Sequence, residues 1–503
     1  CFNFNYADSK QKALKVFMNT FYGEAGNKRS PFFVIQIAGG ITTAGQENIK
    51  MVQHHVEENG CNVHYGDSVT GDTPLVLRDS DTGIVYIKTI DDIASVESWI
   101  SYNQFKPGEP DRIQKQQAPC NLQIWTDGEW HDINRVIRHK TNKKMFRVNT
   151  HIGCIDVTED HSLLTNNRLP IKPNDVEIGT ELLHSFPTEF PEIINDNTQI
   201  DHNMNSVSTI EAYVWGFFMV DGSCSTYNAS SSTKSSWVIN NQNIRYLTQL
   251  LENLAICEPN LKFKLLDMNN SGVYKLVPTG HVNLIVEKYR TLFYDKRKFK
   301  IVPTKILNGS LEVRQSFYDG YYYGDGYKTY EHNSGRDDFY CKGKITSQCM
   351  YYLVKSLGRK YVSIYTSDDK SDIYRISSTN SKFRKNPIAI KKILKLPVTN
   401  ETFVYDIETS KGSFLGGVGE INLKNTDSIY SAMPEKHFLE IDKKYYTGKL
   451  DKEEYWKTMV NITFTEIEKL NNDVNIMLRN DNGTEFLKMA FEESLFPVAF
   501  LAK

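Results

Sequence analysis

Two nine-residue stretches of this chain are versions of one another. Val214-Trp-Gly-Phe-Phe-Met-Val-Asp-Gly222 and Tyr318-Asp-Gly-Tyr-Tyr-Tyr-Gly-Asp-Gly326 both run through aromatic and small residues into Asp-Gly, and Asp221 and Asp325 stand 104 positions apart. One such stretch alone reads as a helix ending in a glycine cap. A repeat predicts two helices related by a pseudo-twofold axis. Gly216, Gly320 and Gly324 let the two backbones approach closely, which brings both terminal aspartates toward one point. Carboxylates gathered in this way suit a divalent metal and an activated water.

Composition narrows the setting only a little. The 503 residues predict three or four domains, and 40% hydrophobic content is enough for ordinary cores. Charge is nearly balanced, 59 basic against 61 acidic residues, so a groove for nucleic acid must be local. The eight cysteines contain no C-x-x-C pair, which argues against a zinc site and for reduced thiols in an intracellular protein. No apolar run approaches the roughly 20 residues of a membrane span, and no signal peptide opens the chain. Because it starts at Cys1, it is expected to be a fragment of a longer polypeptide.

Tyr65-Gly66-Asp67 ends a predicted strand, and Thr426-Asp427-Ser428-Ile429-Tyr430 opens another segment. Joined, they read Y-G-D-T-D-S-I-Y, which resembles the metal-binding palm motif of family B DNA polymerases. A second match lies upstream. Asp8 to Gly23 has helical spacing with Leu14, Phe17, Met18 and Phe21 on the buried face. Lys15, Asn19, Tyr22 and Gly23 match the family's K-x-x-x-N-S-x-Y-G helix, with Thr20 in place of Ser. The resemblance implies that Lys15 neutralises the incoming dNTP triphosphate and that Asn19 and Tyr22 shape its pocket. It also implies Mg²⁺ on Asp427 as principal and Asp67 as secondary ligand, with primer-template DNA as partner. A further helix is expected from about Thr42 to Asn59, with Ile49, Val52 and Val56 on one face and Gly60 as its cap. The two palm carboxylates are separated by an insert, and the family's other palm aspartate and thumb-proximal motif are absent. The fragment alone is therefore not expected to polymerise.

The 358 residues from Ser68 to Asn425 begin with a hydroxyl nucleophile and end in Asn followed by Thr426, a layout that resembles an intein. Ser68-Val-Thr-Gly-Asp-Thr-Pro is similar to the opening intein block, and Thr158-Glu-Asp-His161 to the T-x-x-H block. The resemblance implies an N-to-O acyl shift at Ser68, with oxyanion stabilisation. His161 would hydrogen-bond the scissile amide nitrogen and protonate it, a role suited to an imidazole titrating near working pH. Thr426 would then attack the ester, and Asn425 would cyclise to release the insert. Val404-Tyr-Asp406 is similar to the downstream block; Asp406 is either a base or orienter for Thr426 or a satisfied carboxylate in a strand turn. The pattern departs from the family at Lys424, where His is usual, and at Lys411-Gly-Ser-Phe414, which often holds another His. Lysine donates a hydrogen bond but is a poor proton shuttle at neutral pH, so the C-terminal step is expected to be slow or helped by a group such as His151.

Inside the insert, the repeat resembles the LAGLIDADG helices of homing endonucleases. That likeness implies Asp221 and Asp325 as catalytic metal ligands for Mg²⁺, double-stranded DNA at the uninterrupted polymerase gene as substrate, and a monomeric endonuclease. Lys300 either polarises the attacking water or contacts the DNA backbone as part of Lys296-Arg-Lys-Phe-Lys300; Lys382-Phe-Arg-Lys385 is a further basic stretch. The expected fold class is multidomain α+β. It comprises a β-rich Hint-type splicing domain at 68–204 and 386–425, an α/β pseudo-twofold LAGLIDADG endonuclease at 205–385, and polymerase fingers and palm pieces at 1–67 and 426–503. Short alternating runs at Pro74–Arg78, Gly83–Ile87 and Leu122–Trp125 are expected to be strands of the splicing domain. A competing reading makes the endonuclease a degenerate, inactive DNA-binding module. The flanks resemble those of large eukaryotic DNA viruses, algal ones in particular, which implies the host cytoplasm or nucleus.

Overall fold

The strand Asn62–His64 finds its partner on the far side of the insert. It pairs antiparallel with Tyr430–Ala432, in the register Asn62↔Ala432, Val63↔Ser431 and His64↔Tyr430. The computed structural model describes residues 31, 51–52, 55–56, 62–64, 68–101, 115–141, 143–159, 161–192, 207–229, 232–268, 272–280, 282–325, 336–366, 372–397, 402–409, 411–425, 430–432 and 434–483. The multidomain α+β chain divides into two compact units, Cys1–Gly66 with Thr426–Lys503, and Asp67–Asn425. Lys15, Asn19, Tyr22, Asp67, Thr426 and Asp427 lie outside the described residues, as does the side chain of Asp325.

In the first unit, the helix Lys452–Asn482 begins where the Asp451 side chain accepts the Glu454 N–H and ends at Gly483, whose φ of 67° suits a residue without a Cβ. Its Val474 and Leu478 bury Val52 and Val56, the face expected of the upstream helix. Ile49 and Gly60 lie outside the described residues.

The second unit contains a twelve-stranded curled sheet. Its central path runs Lys392–Leu396, Met145–Asn149, Gly153–Thr158, Val69–Thr70, Thr402–Thr409, Glu129–Thr141, Leu122–Thr126, Pro74–Asp79 and Val85–Thr89. The sheet curls because the thirteen-residue strand Glu129–Thr141 serves different partners along its length. Thr402–Thr409 lies along its middle and end, with a register shift at Glu408/Thr409, and Leu122–Thr126 along its start. The alternating burial of Val85–Thr89 follows the two-residue period of a strand with one face inward. A small sheet pairs Leu163–Leu164 with Asn422–Lys424, and so brings the insert's last residues beside the segment after Thr158.

Between the two parts of this sheet lie two helix-led halves. The helix Thr209–Asp221 starts at Ser208, whose side chain accepts the Glu211 N–H, and leads into a four-stranded antiparallel sheet. The helix Leu311–Asp325 leads toward a three-stranded sheet of Arg336–Lys342, Ile373–Thr379 and Tyr361–Thr366. The two helices pack backbone to backbone. A Cβ on Gly216 would overlap the Phe317 carbonyl oxygen, and one on Gly320 would overlap that of Tyr213. The glycines at equivalent repeat positions thus permit the close approach. No helix among the described residues is long and apolar enough to cross a membrane.

Candidate functional site

Ser68 and Thr158 hold each other. The Ser68 N–H donates to Thr158 Oγ1 (3.2 Å), the Thr158 N–H donates to the Ser68 carbonyl (3.0 Å), and the Thr158 carbonyl accepts the His161 N–H (3.0 Å). All three residues are wholly buried. The antiparallel pair Val157↔Val69 sets this geometry, because it places the residue before one strand against the last residue of the other. The hydrogen bond to the Ser68 amide nitrogen, expected of His161, is made by Thr158. Neither ring nitrogen of His161 has a hydrogen-bond partner among the described residues, which is costly for a buried polar group unless its chemistry requires it. Burial pulls its pKa down to about 3. The resting ring is therefore a neutral imidazole with one donor and one acceptor, rather than one poised near working pH.

Asp406 and Asn425 reach the same corner from the other end of the insert. Thr402–Thr409 pairs with Val69–Thr70 through Val69↔Tyr405, and one step further along this register sets Asp406 level with Ser68. Asp406 is buried, and one carboxylate oxygen accepts the Ile407 N–H (2.8 Å). The pair Leu163↔Leu423 and the Lys424 N–H donated to the Ser162 carbonyl (3.2 Å) set Asn425 level with His161. Asn425 is buried; its Nδ2 donates to the Ile407 carbonyl (3.2 Å) and its N–H to the Gly412 carbonyl (2.9 Å). Gly412, at φ 68°, would bring a Cβ to 3.3 Å from Asn425 Oδ1. The segment that lacks the family's histidine thus supplies a backbone that seats the terminal Asn. His151 does not fit as a helper, since it occupies the turn before Gly153–Thr158, a strand's length from Thr158 at about 3.3 Å per residue.

At the repeat, Asp221 closes its helix and accepts a hydrogen bond from Asn241 Nδ2 (2.6 Å). Lys300 sits at the same helix end. Its Nζ donates to the carbonyls of Phe218 (3.0 Å), Met219 (2.9 Å) and Gly222 (2.5 Å), and burial lowers its pKa to about 8. A cation on C-terminal carbonyls is favoured by the helix dipole. Two other cations of the basic run meet carboxylates, while Lys298 is exposed. Lys296 pairs with Asp91 (3.2 Å) and Asp92 (3.3 Å), and Arg297 also pairs with Asp91. Lys382, Arg384 and Lys385 are exposed. Among the described residues no cluster of three or more His, Cys, Asp or Glu could hold a metal, and none of the described cysteines forms a disulfide.

Sequence reading missed a buried ionic cluster. Arg147 is doubly hydrogen-bonded to Asp156 (2.7 and 2.8 Å), and Lys344 joins Asp156 (2.7 Å) to Asp72 (2.6 Å). Burial alone would raise the Asp156 carboxyl, but Lys344 and Arg147 hold it below its ordinary value. Burial would also raise Asp72, which Lys344 brings down to about 2. Lys344 lies nearly two hundred positions from Asp156, so no local pattern announces the pairing.

Residues 3–88 match the family model described as DNA polymerase family B. The chain is homologous to the DNA polymerase of Acanthamoeba polyphaga mimivirus, 43% identical over 506 residues, covering 98% of this chain and 27% of that protein. DNA polymerase beta of African swine fever virus is 59% identical over 61 residues, 12% of this chain and 5% of that protein. The DNA polymerase of Thermococcus hydrothermalis is 25% identical over 329 residues, 61% of this chain and 18% of that protein. The chain therefore spans about a quarter of the mimivirus relative and less of the others. Among solved structures, a mesophilic variant of the homing endonuclease I-DmoI aligns with 35% of this chain and 85% of its own, at 17% identity and a TM-score of 0.27. The transcription factor IIB Mvu mini-intein aligns with 71% and 100%, at 11% identity and a TM-score of 0.26. At those scores the likeness carries no argument.

Proposed function

We propose that Ser68–Asn425 is a self-splicing element that excises itself from a polypeptide homologous to viral family B DNA polymerases and joins Asp67 to Thr426. The observation that carries this reading is the buried corner where Ser68 and Thr158 exchange hydrogen bonds beside His161, with Asp406 and Asn425 in register on adjoining strands. Two further facts support it. The compact units divide within a residue of both junctions, and the ladder of Asn62–His64 with Tyr430–Ala432 is completed only by sequence from both flanks.

The chemistry balances within the chain. Ser68 Oγ attacks the Asp67 carbonyl carbon; a C–O bond forms, the C–N bond breaks, and the hydroxyl proton ends on the Ser68 nitrogen. Thr158 holds that nitrogen, and the neutral His161 ring can both accept and donate a proton along this path. Thr426 Oγ then displaces Ser68 Oγ from the ester, with Asp406 as base or orienter. Asn425 Nδ2, oriented by the Ile407 carbonyl, attacks its own backbone carbonyl and expels the Thr426 amine as a succinimide forms. That amine takes the acyl group from its own oxygen and leaves a peptide bond. The product restores Asp67 and Asp427 to one turn, where they would hold Mg²⁺ in the full-length polymerase, with Lys15, Asn19 and Tyr22 at the dNTP and primer-template DNA as partner.

The inner repeat is read as a DNA endonuclease. Asp221 and Asp325 end two helices whose backbones touch, and two carboxylates with phosphate oxygens and water form the hard donor set that suits Mg²⁺. When bound, the metal would polarise the phosphodiester and acidify water. Lys300, beside Asp221, fixes the helix end and carries an ammonium of lowered pKa into the site.

Expression of the chain with its junction residues intact tests the splicing reading on a denaturing gel. Two products are expected, Ser68–Asn425 and the ligated flanks; a single band of the full length contradicts it. Lys424→His is expected to speed Asn425 cyclisation, because imidazole shuttles protons at neutral pH where an ordinary lysine does not. An unchanged or slower release of the C-terminal flank, followed by gel densitometry, would remove Lys424 as the rate-limiting departure.

A further inference from the structure

The helix Lys344–Ser356 belongs to the inner segment, yet one of its faces is devoted to the splicing sheet. Lys344, Gln348, Tyr351 and Lys355 recur at the spacing of a single helical stripe. Gln348 exchanges two hydrogen bonds with Gly419, whose N–H donates to Oε1 (2.6 Å) and whose carbonyl accepts from Nε2 (3.3 Å). The Tyr351 hydroxyl donates to Glu420 (2.7 Å), and Lys355 pairs with the same carboxylate (2.9 Å). Lys344 makes the decisive contacts. Its Nζ donates to Thr70 Oγ1 (2.9 Å) and Asp72 (2.6 Å), two and four residues after Ser68, and reaches Asp156 (2.7 Å), two residues before Thr158. The turn after Ser68 is braced from another side as well. Lys296 and Arg297 hold Asp91, whose N–H donates to the Gly71 carbonyl (3.3 Å).

We propose that the inner segment is a working part of the splicing site, with Lys344 as a positioning residue that locks the Ser68 strand to the Thr158 strand. This rests on the splicing reading above. Each of these two strands contributes one partner of the Ser68–Thr158 hydrogen-bond exchange, and the first has only two residues of ladder, Val69–Thr70. So short a strand does not fix its own register, whereas a buried ammonium bonded to both strands does. Lys344 then acts on the first step of splicing more than on the last, because its bonds go to Thr70, Asp72 and Asp156 and none to Asn425 or the strand that carries it.

The test follows the two steps separately in the full chain. Ester formation is read in an Asn425→Ala, Thr426→Ala background by hydroxylamine release of the Cys1–Asp67 fragment. Asn425 cyclisation is read in a Ser68→Ala background by release of the C-terminal flank. Lys344→Met together with Asp72→Asn keeps the cluster neutral, with Arg147 still paired to Asp156. Ester formation is expected to fall at least about tenfold, since a misplacement of about 1 Å can cost about a hundredfold. Cyclisation and the thermal midpoint should stay near the parent's. Lys355→Met, on the same helical stripe but paired with Glu420, should leave ester formation unchanged. A parent-like ester rate in the double variant overturns the proposal, and so does an equal loss in both steps. Should the double variant not fold, Asp72→Ala alone decides, because it removes one of the lysine's partners, a carboxylate whose side chain is 44% exposed; slowed ester formation supports the clamp and an unchanged rate refutes it. A parent that forms no ester at all overturns the splicing reading itself, and is distinguished by the unmodified chain remaining whole.

Discussion

Ser68→Ala abolishes ligation, an effect limited only by the sensitivity of detection. Alanine has no oxygen to accept the Asp67 acyl group, and Thr158 Oγ1, the hydroxyl bonded to residue 68 among the described residues, is engaged as acceptor of its N–H. The backbone hydrogen bonds between residues 68 and 158 do not need the serine side chain, so the fold should persist. Asn425 cyclisation can then proceed without ligation, giving a product of Cys1–Asn425 and a separate downstream flank. Asn425→Ala should give the complementary result, a branched ester that accumulates without release of the insert. Both outcomes are read by mass on a denaturing gel with and without hydroxylamine. Ligated flanks from the Ser68→Ala chain would show that the junction has been placed at the wrong residue.

Asp221→Asn or Asp325→Asn is expected to lower double-strand cleavage of the uninterrupted gene by roughly a thousandfold, about 4 kcal/mol at about 1.4 kcal/mol per tenfold. Asparagine keeps the size and an acceptor oxygen, so Asn241 retains its partner at position 221, but the charge that holds the metal is gone. Splicing should continue in both variants, because these aspartates close helices whose contacts are with each other rather than with the Ser68 strand. The measurement is cutting of joined and interrupted coding sequences by purified insert with Mg²⁺. Retained cutting after Asp325→Asn, or no cutting by the parent, would favour the inactive DNA-binding module instead. Separate effects at Asp221 and at Lys344 would show that one segment serves DNA at one end and splicing at the other.

What could be seen in the sequence was local. The close approach at Gly216 and Gly320 was legible because only glycine tolerates backbone against backbone, and the strands near Pro74 and Leu122 because short alternating runs between turn residues report one buried face. The buried positions of Val52 and Val56 followed from helical spacing. Long-range electrostatics were not legible. Lys296 and Arg297 read as a basic patch because sequence shows the sign of a charge and not the partner it meets; in the fold they meet Asp91. Lys344 looked like any lysine, and only the packing of its helix on the sheet buries it between two carboxylates. The motif at 158–161 gave the Ser68 amide to the imidazole, whereas the threonine hydroxyl receives it across the paired strands. The role of Gly412 depends on a backbone angle of φ 68°, which the residue type permits but the sequence does not display.

The most direct measurement is the mass of one tryptic peptide. Trypsin cuts after Lys50 and after Lys436, and no Lys or Arg intervenes on either side of the junction. Protein splicing predicts a peptide in which Met51–Asp67 is joined by a peptide bond to Thr426–Lys436, stable to hydroxylamine and absent from the Ser68→Ala chain. Peptides that still read Asp67-Ser68 and Asn425-Thr426, with no joined species after prolonged incubation of folded protein, would contradict the account.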